Sequence, residues 1–200
     1  IVSVVAVSLK KQRGIGLIAD VLNPDVLAKL PGTAAIGHTR YSTAGKNTIK
    51  EVQPLRAKCQ HGLIAVCQNG NLPFAEARRH ELEQSGAIFS STSDTETILH
   101  GIAWTKAENA VEAIKKVLAD TEGAFSLLFL TTGALIAVRD SRGFRPLVLG
   151  KFKDAWCVAS ETCAFDLIDA EYIREVEPGE MIIIDKNGLR PERPLEEKPH

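Results

Sequence analysis

No stretch of this 200-residue chain approaches the ~20 consecutive apolar residues needed to cross a bilayer. Neither sign of charge dominates: 24 Lys and Arg stand against 25 Asp and Glu. No net field therefore draws the chain to nucleic acid or to anionic lipid, and neither is expected as a partner. Cysteine is sparse, and the four present, Cys59, Cys67, Cys157 and Cys163, form no Cys-x-x-Cys pair. A disulfide framework is not expected in a domain of this size, and reduced cytosolic thiols are the default. Cys59 with His61 offers half a metal site, but nothing nearby completes four ligands, so no metal is expected. The bland alternative, buried small hydrophobes, is the reading taken for the thiols. A starting Met is also missing. The chain opens with Ile1 inside a strand-like run, and further residues are expected upstream. Residues 1–9 are too short and too β-branched for a signal peptide, and no small-residue cleavage site follows them.

What is present is ordinary for a soluble globular domain: 44% hydrophobic and 24% charged residues. Residues 1–9, rich in Val and Ile, read as one largely buried strand. Asn23-Pro24 reads as a helix start, with Asn as N-cap and Pro at the first helical position, and the helix should end near Leu30. Residues 34–38 and 62–68 are strand-like. A helix should open at Pro73 and stop at Gly86. Ser93-Asp94-Thr95-Glu96 has the form of a capping box, with a helix through Ile98, Leu99 and Ile102 behind it. Residues 108–119 carry Val111, Ile114, Val117 and Leu118 on one helical face. Short strands are expected at 124–130, 134–138, 147–149, 156–159 and 181–184, with a short helix from Ser160. Residues 190–200 are polar and Pro-rich and read as a linker, leaving 1–189 as the domain. Strands and helices that do not alternate strictly point to an α+β layered domain rather than a parallel sheet.

Three segments could carry chemistry. In Gly37-His38-Thr39-Arg40-Tyr41-Ser42-Thr43-Ala44-Gly45, the Arg40 guanidinium could hold a carboxylate in bidentate fashion, with Ser42 or Thr43 as added donors; a structural ion pair is the alternative. In Gln68-Asn69-Gly70-Asn71, the pair Asn-Gly is a common hairpin turn. It can equally present a backbone amide beside a side-chain amide, two neutral donors for a developing oxyanion. Asp94 begins a helix, where the dipole favours a carboxylate, and it either caps that helix or holds an ammonium group. Together the three describe a site for a free amino acid with an acyl side chain, and glutamine fits. No nucleophile with a partner base is evident, and His38 and His61 read as core or surface histidines.

These segments, with Gln53-Pro54 and Thr92-Ser93-Asp94-Thr95-Glu96, resemble the class II glutamine amidotransferases. Arg139-Asp140-Ser141-Arg142-Gly143-Phe144-Arg145-Pro146-Leu147, Ala159-Ser160-Glu161-Thr162-Cys163-Ala164 and Val176-Glu177-Pro178-Gly179-Glu180 narrow the likeness to amidophosphoribosyltransferases. The resemblance runs from Ile1 to about Leu189. It implies an α+β N-terminal-nucleophile hydrolase, a four-layer αββα sandwich with two antiparallel sheets. It also implies a glutaminase that supplies ammonia for 5-phosphoribosylamine in the first step of de novo purine biosynthesis; the expected compartment is the cytoplasm, with an organelle left open.

By the same resemblance Arg40 would hold the glutamine carboxylate and Asp94 its α-amino group, while Asn69 and Gly70 would form the oxyanion hole. Arg139 to Leu147 is expected to be structural, a strand end, a Gly turn and a buried charge network. Gln68 stands where His commonly precedes Asn-Gly, and little is expected to follow from it. The family's nucleophile is an amino-terminal cysteine whose own amine is the base, and no cysteine here matches it. The 200 residues alone are therefore expected to be inactive, and a catalytically dead glutamine-binding or scaffold module is the alternative. The resemblance places no cofactor in this domain. It assigns Mg to the phosphoribosyltransferase domain, leaves an iron–sulfur cluster open there, and implies a homo-oligomer for the full-length enzyme.

Overall fold

The structure is a computed structural model, and it describes residues 1–40 and 48–198. In chain order the elements are β1 (Val2–Val5), β2 (Ser8–Lys11), α1 (Ile18–Val21), α2 (Pro24–Leu27), β3 (Ala34–Ile36), a 3-10 turn (Ile49–Glu51), β4 (Leu55–Cys59), β5 (Gly62–Asn71), α3 (Ala75–Gln84), α4 (Thr95–Trp104) and α5 (Ala110–Ala119). They continue as β6 (Ala124–Thr131), β7 (Ala134–Arg139), β8 (Val148–Phe152), β9 (Ala155–Ala159), α6 (Cys163–Asp166), β10 (Glu171–Glu175), β11 (Met181–Asp185) and β12 (Gly188–Glu192).

A six-stranded sheet, in the order β12-β11-β7-β6-β5-β4, organises the molecule, and every pairing in it is antiparallel. Alternation along each strand sorts its side chains to two faces. Ile64, Val66, Phe125, Leu127, Phe129 and Ile136 pack against Ile98 and Ile102 of α4 and Ile114 and Leu118 of α5. The intervening residues face the other way. Ala65, Cys67 and Leu130 meet Val2, Val4, Leu9 and Ile36 of a three-stranded sheet ordered β2-β1-β3. Ala137 and Ile182 meet Leu147, Leu149 and Val158 around a second three-stranded sheet ordered β10-β8-β9. On the outer side of β8, Phe165 of α6 lies so close to Gly150 that an added Cβ would sit 2.8 Å from its ring. The order is thus helices, sheet, a divided second sheet layer and a thin outer helical layer.

The caps at Asn23 and the stop at Gly86 form as expected: Asn23 Oδ1 accepts from Val26 N at 3.0 Å, and Gly86 takes φ +93°. Residues 1–9 differ. They form a hairpin rather than one strand, with Val4 paired to Leu9 and Val5 to Ser8. The reversal falls on Ala6, at φ 48°, and leaves Val7 85% exposed. β-branched residues favour extended backbone but do not say where it turns, and no Gly or Asn marks this turn. Residues 190–192, expected to begin a linker, complete β12, with Pro191 tolerated because the strand is at the sheet edge. Glu192 pairs with Lys115 of α5, Leu195 is buried in the main core, and Lys198 N donates to Ser141 O at 2.8 Å.

Candidate glutamine site

The site grows from the far end of β5, a ten-residue strand that outruns its neighbour. β4 pairs with β5 only as far as Leu55 opposite Val66. Beyond that point residues 68–71 keep their partners on β6 alone: Asn69 faces Ser126, Gly70 faces Phe125 and Asn71 faces Ala124. The Asn-Gly pair is therefore the continuation of a strand, and the hairpin-turn alternative is excluded. Phe125 spends its backbone groups on Asp140, its amide donating to Asp140 Oδ2 at 3.1 Å and its carbonyl accepting from Asp140 N at 2.9 Å. In an antiparallel pair whose one member bonds outward, the facing residue also directs its amide and carbonyl outward. The Gly70 N–H accordingly points off the open side of β5. The Asn69 side chain leaves toward the second sheet layer, where Nδ2 donates to Ser160 Oγ at 3.4 Å. That bond anchors one N–H of the amide.

Asp94 caps α4, but not as part of the expected box. Its Oδ1 accepts from Thr95 N at 2.8 Å, and its Oδ2 accepts from Gln68 Nε2 and Leu72 N, both at 3.1 Å. Glu96, the expected reciprocal partner, turns back to the preceding loop instead. It accepts from the amides and hydroxyls of both Ser90 and Ser91 at 2.6–2.8 Å. Burial opposes its charge, yet these donors hold its carboxyl below the usual carboxylate range.

Arg40 follows β3, and its Nη1 donates to the Glu51 carbonyl at 3.3 Å while lying 3.8 Å from the Glu51 carboxylate. The buried Glu51 also accepts from Thr92 N at 2.8 Å through Oε1, linking Arg40 to the loop that delivers Asp94. Arg40 thus makes the structural contact named as the alternative, and its side chain stays 31% exposed. Ser42 and Thr43, expected as donors beside it, lie outside the described residues. His38 Nε2 donates to the Gln68 carbonyl at 2.9 Å, and its Nδ1 is buried with no hydrogen-bond partner among the described residues. Burial pushes its pKa down, with Arg40 adding to the effect.

The structure therefore gathers Arg40, Asn69, Gly70 and Asp94 around one strand end through short chains of hydrogen bonds. Sequence reasoning passed over Glu51 and gave no role to Gln53, Gln68 or Ser160, which make those chains. The one available signal was polar residues inside or beside apolar strands. Arg139 behaves as the expected structural charge, donating to the carbonyls of Gly143, Arg145 and Val176 at 2.7–2.9 Å. Gly143, held in this way, donates its N–H to the Asp140 carbonyl at 3.0 Å, and Asp140 bonds Phe125, the strand residue opposite Gly70. A cleft of about 810 Å³ runs past Asn71, Asp120, Ser141 and Leu195 and is lined by none of Arg40, Asn69 and Asp94. Among the described residues no group of three or more His, Cys, Asp or Glu is placed to hold a metal, and no helix is long and apolar enough to cross a membrane.

This arrangement, paired amide donors at a strand end with an acidic and a basic side chain beside them, sits on a fold shared with known proteins. Residues 38–166 match the family described as the glutamine amidotransferase domain, and the chain belongs to that family. Within it the likeness is to amidophosphoribosyltransferases. The chloroplastic amidophosphoribosyltransferase of Vigna aconitifolia is 49% identical over 178 residues, spanning 88% of this chain and 36% of that protein. The solved glutamine phosphoribosylpyrophosphate amidotransferase of B. subtilis, complexed with ADP and GMP, superposes with a TM-score of 0.90 at 41% identity, covering 96% of this chain and 42% of that one. A structure described as the allosteric regulatory enzyme of purine biosynthesis gives 0.92 at 42% identity, with the same coverage. The fold is the N-terminal-nucleophile hydrolase fold. The chain spans roughly two fifths of the length of the proteins it matches.

Proposed function

We propose that this chain is the glutaminase domain of an amidophosphoribosyltransferase, releasing ammonia from glutamine to form 5-phosphoribosylamine in the first step of purine synthesis. The observation that carries the reading is the end of β5, where the Asn69 side-chain amide and the outward Gly70 N–H provide two neutral donors. Such donors stabilise the negative oxygen of a tetrahedral intermediate more than the ground-state carbonyl. Arg40 takes the substrate carboxylate and Asp94 its α-amino group. The resemblance assigns the attack to an amino-terminal cysteine that residues 1–200 do not include. Its thiolate adds to the side-chain carbonyl, its own α-amine carries the proton to the departing ammonia, and water then cleaves the thioester to glutamate. Cys67 is no substitute, because burial pushes its thiol up to about 12. The proposed partners are a phosphoribosyltransferase domain, which would carry the Mg, and further copies of the enzyme, in the cytoplasm or, as in the Vigna relative, a chloroplast.

The test is Asn69→Ala in the complete protein, read as ammonia release from glutamine. We expect kcat to fall on the order of 10²-fold with KM little changed. A kcat that holds while KM rises would make Asn69 a ground-state contact, and a complete protein that binds glutamine without releasing ammonia would favour the binding-module alternative.

A further inference from the structure

Gln68 is only 5% exposed, and each of its polar groups is engaged. Its amide N–H donates to Gln53 Oε1 at 2.8 Å and its carbonyl accepts from His38 Nε2 at 2.9 Å. Its side-chain Oε1 accepts from the Thr95 hydroxyl at 2.9 Å, and Nε2 donates to Asp94 Oδ2 at 3.1 Å. The chain of donors has a direction. Gln53 Nε2 donates to Thr95 Oγ1 at 3.2 Å, and the Thr95 hydroxyl has Gln68 Oε1 at 2.9 Å and Asp94 Oδ1 at 3.3 Å as acceptors; with Oε1 accepting the shorter bond, the Gln68 NH₂ faces Asp94. Asp94 Oδ2 also takes Leu72 N. The carboxylate is therefore clamped from residues on both sides of Asn69-Gly70-Asn71.

We propose that Gln68 is a positioning residue that aims the Asp94 carboxylate at the substrate's α-amino group and ties that group to the oxyanion strand. The inference rests on the reading of Asp94 given above. A carboxamide suits this task because it donates without bringing a charge that would compete with the substrate's ammonium. An imidazole can also donate here, but its cation competes. Among the described residues, the titratable groups bonded to residue 68 are Asp94 and His38.

The experiment compares glutamine with glutaramate, the same molecule without its α-amino group, on the complete protein. Gln68→Met keeps the volume and removes the hydrogen bond. Its KM for glutamine should rise about 10-fold, the worth of one hydrogen bond to a charged group, while kcat/KM for glutaramate stays where it was. Gln68→His should restore the glutamine KM at neutral pH. It should then lose affinity as pH falls through about 6.5, the ordinary histidine value, more steeply than the unmutated protein, in which His38 titrates only below that value. Equal losses on both substrates would make Gln68 a packing residue of β5, and no loss on either would leave it without a role; both results overturn the inference. If Gln68→Met fails to fold, the His variant alone decides, and a pH response like that of the unmutated protein refutes the idea. Asp94→Asn serves as the reference. If it fails to narrow the preference for glutamine over glutaramate, the assignment of Asp94 is what falls.

Discussion

Replacing Gly70 with alanine should damage both stability and catalysis, and the structure gives the size of the effect. A Cβ there would lie 2.0 Å from the Ala124 carbonyl oxygen and 2.7 Å from Phe125 Cα. Real Cβ atoms essentially never come within 3.0 Å, so β5 must move away by about 1 Å. The obstructing atoms are backbone of β6, held on its far side by the Ser126–Arg139 pairing and by both Asp140 bonds to Phe125, so they cannot swing aside. Two ladder bonds weakened at about 1 kcal/mol each, plus ~1 kcal/mol for a non-glycine residue at φ 151°, give roughly 3 kcal/mol. That corresponds to a Tm lower by about 6–12 °C for a domain of this size. Gly62→Ala is the internal control: its φ is 94° with nothing within 4 Å of the added carbon. It should show the backbone term alone, about 2–4 °C. Calorimetry of the complete protein with each variant separates the two contributions, and ammonia release should fall in Gly70→Ala because the oxyanion amide moves with the strand. Equal melting losses in the two variants would refute the close-approach argument.

Arg40→Lys should cost at least ~2 kcal/mol in kcat/KM for glutamine, mostly as raised KM, because a point charge cannot present a planar fork. Steady-state kinetics on the complete protein check it, and an unchanged kcat/KM removes Arg40 from the site. His38 makes stability depend on pH. Its folded pKa lies below its unfolded value of about 6.5, so the unfolded chain binds the proton first and stability drops as pH falls below that value. Melting temperature measured from about pH 7.5 to 5.5 should decline, and His38→Gln, which keeps a donor for the Gln68 carbonyl, should flatten the slope. Glu96 does not confuse this window, since a carboxylate with a lowered pKa withdraws stability only as pH falls below its ordinary value of 4.5.

Local pattern carried much of this protein. The 3.6-residue spacing of Val111, Ile114, Val117 and Leu118 gave α5, with Ile114 and Leu118 fully buried. Short apolar runs separated by turns gave β6 and β7, and Asn23-Pro24 gave a cap, because these signals arise from neighbours a few residues apart. Residue chemistry alone singled out Arg40, Asn69, Gly70 and Asp94, and the motifs in order gave the family. What local pattern could not supply was the partner of each polar group. Gln68 looked incidental because its bonds run to Gln53, His38, Asp94 and Thr95, at sequence separations of 15 to 30 residues. Ser160 reaches Asn69 across 91 residues. Asn-Gly reads as a turn until β6 is seen to run alongside it, and residues 190–192 read as a linker until β11 offers them an edge. Composition and spacing decide which groups must be buried or paired. Only the tertiary structure decides with whom, because a buried polar atom takes whichever partner the packing of distant strands brings within reach.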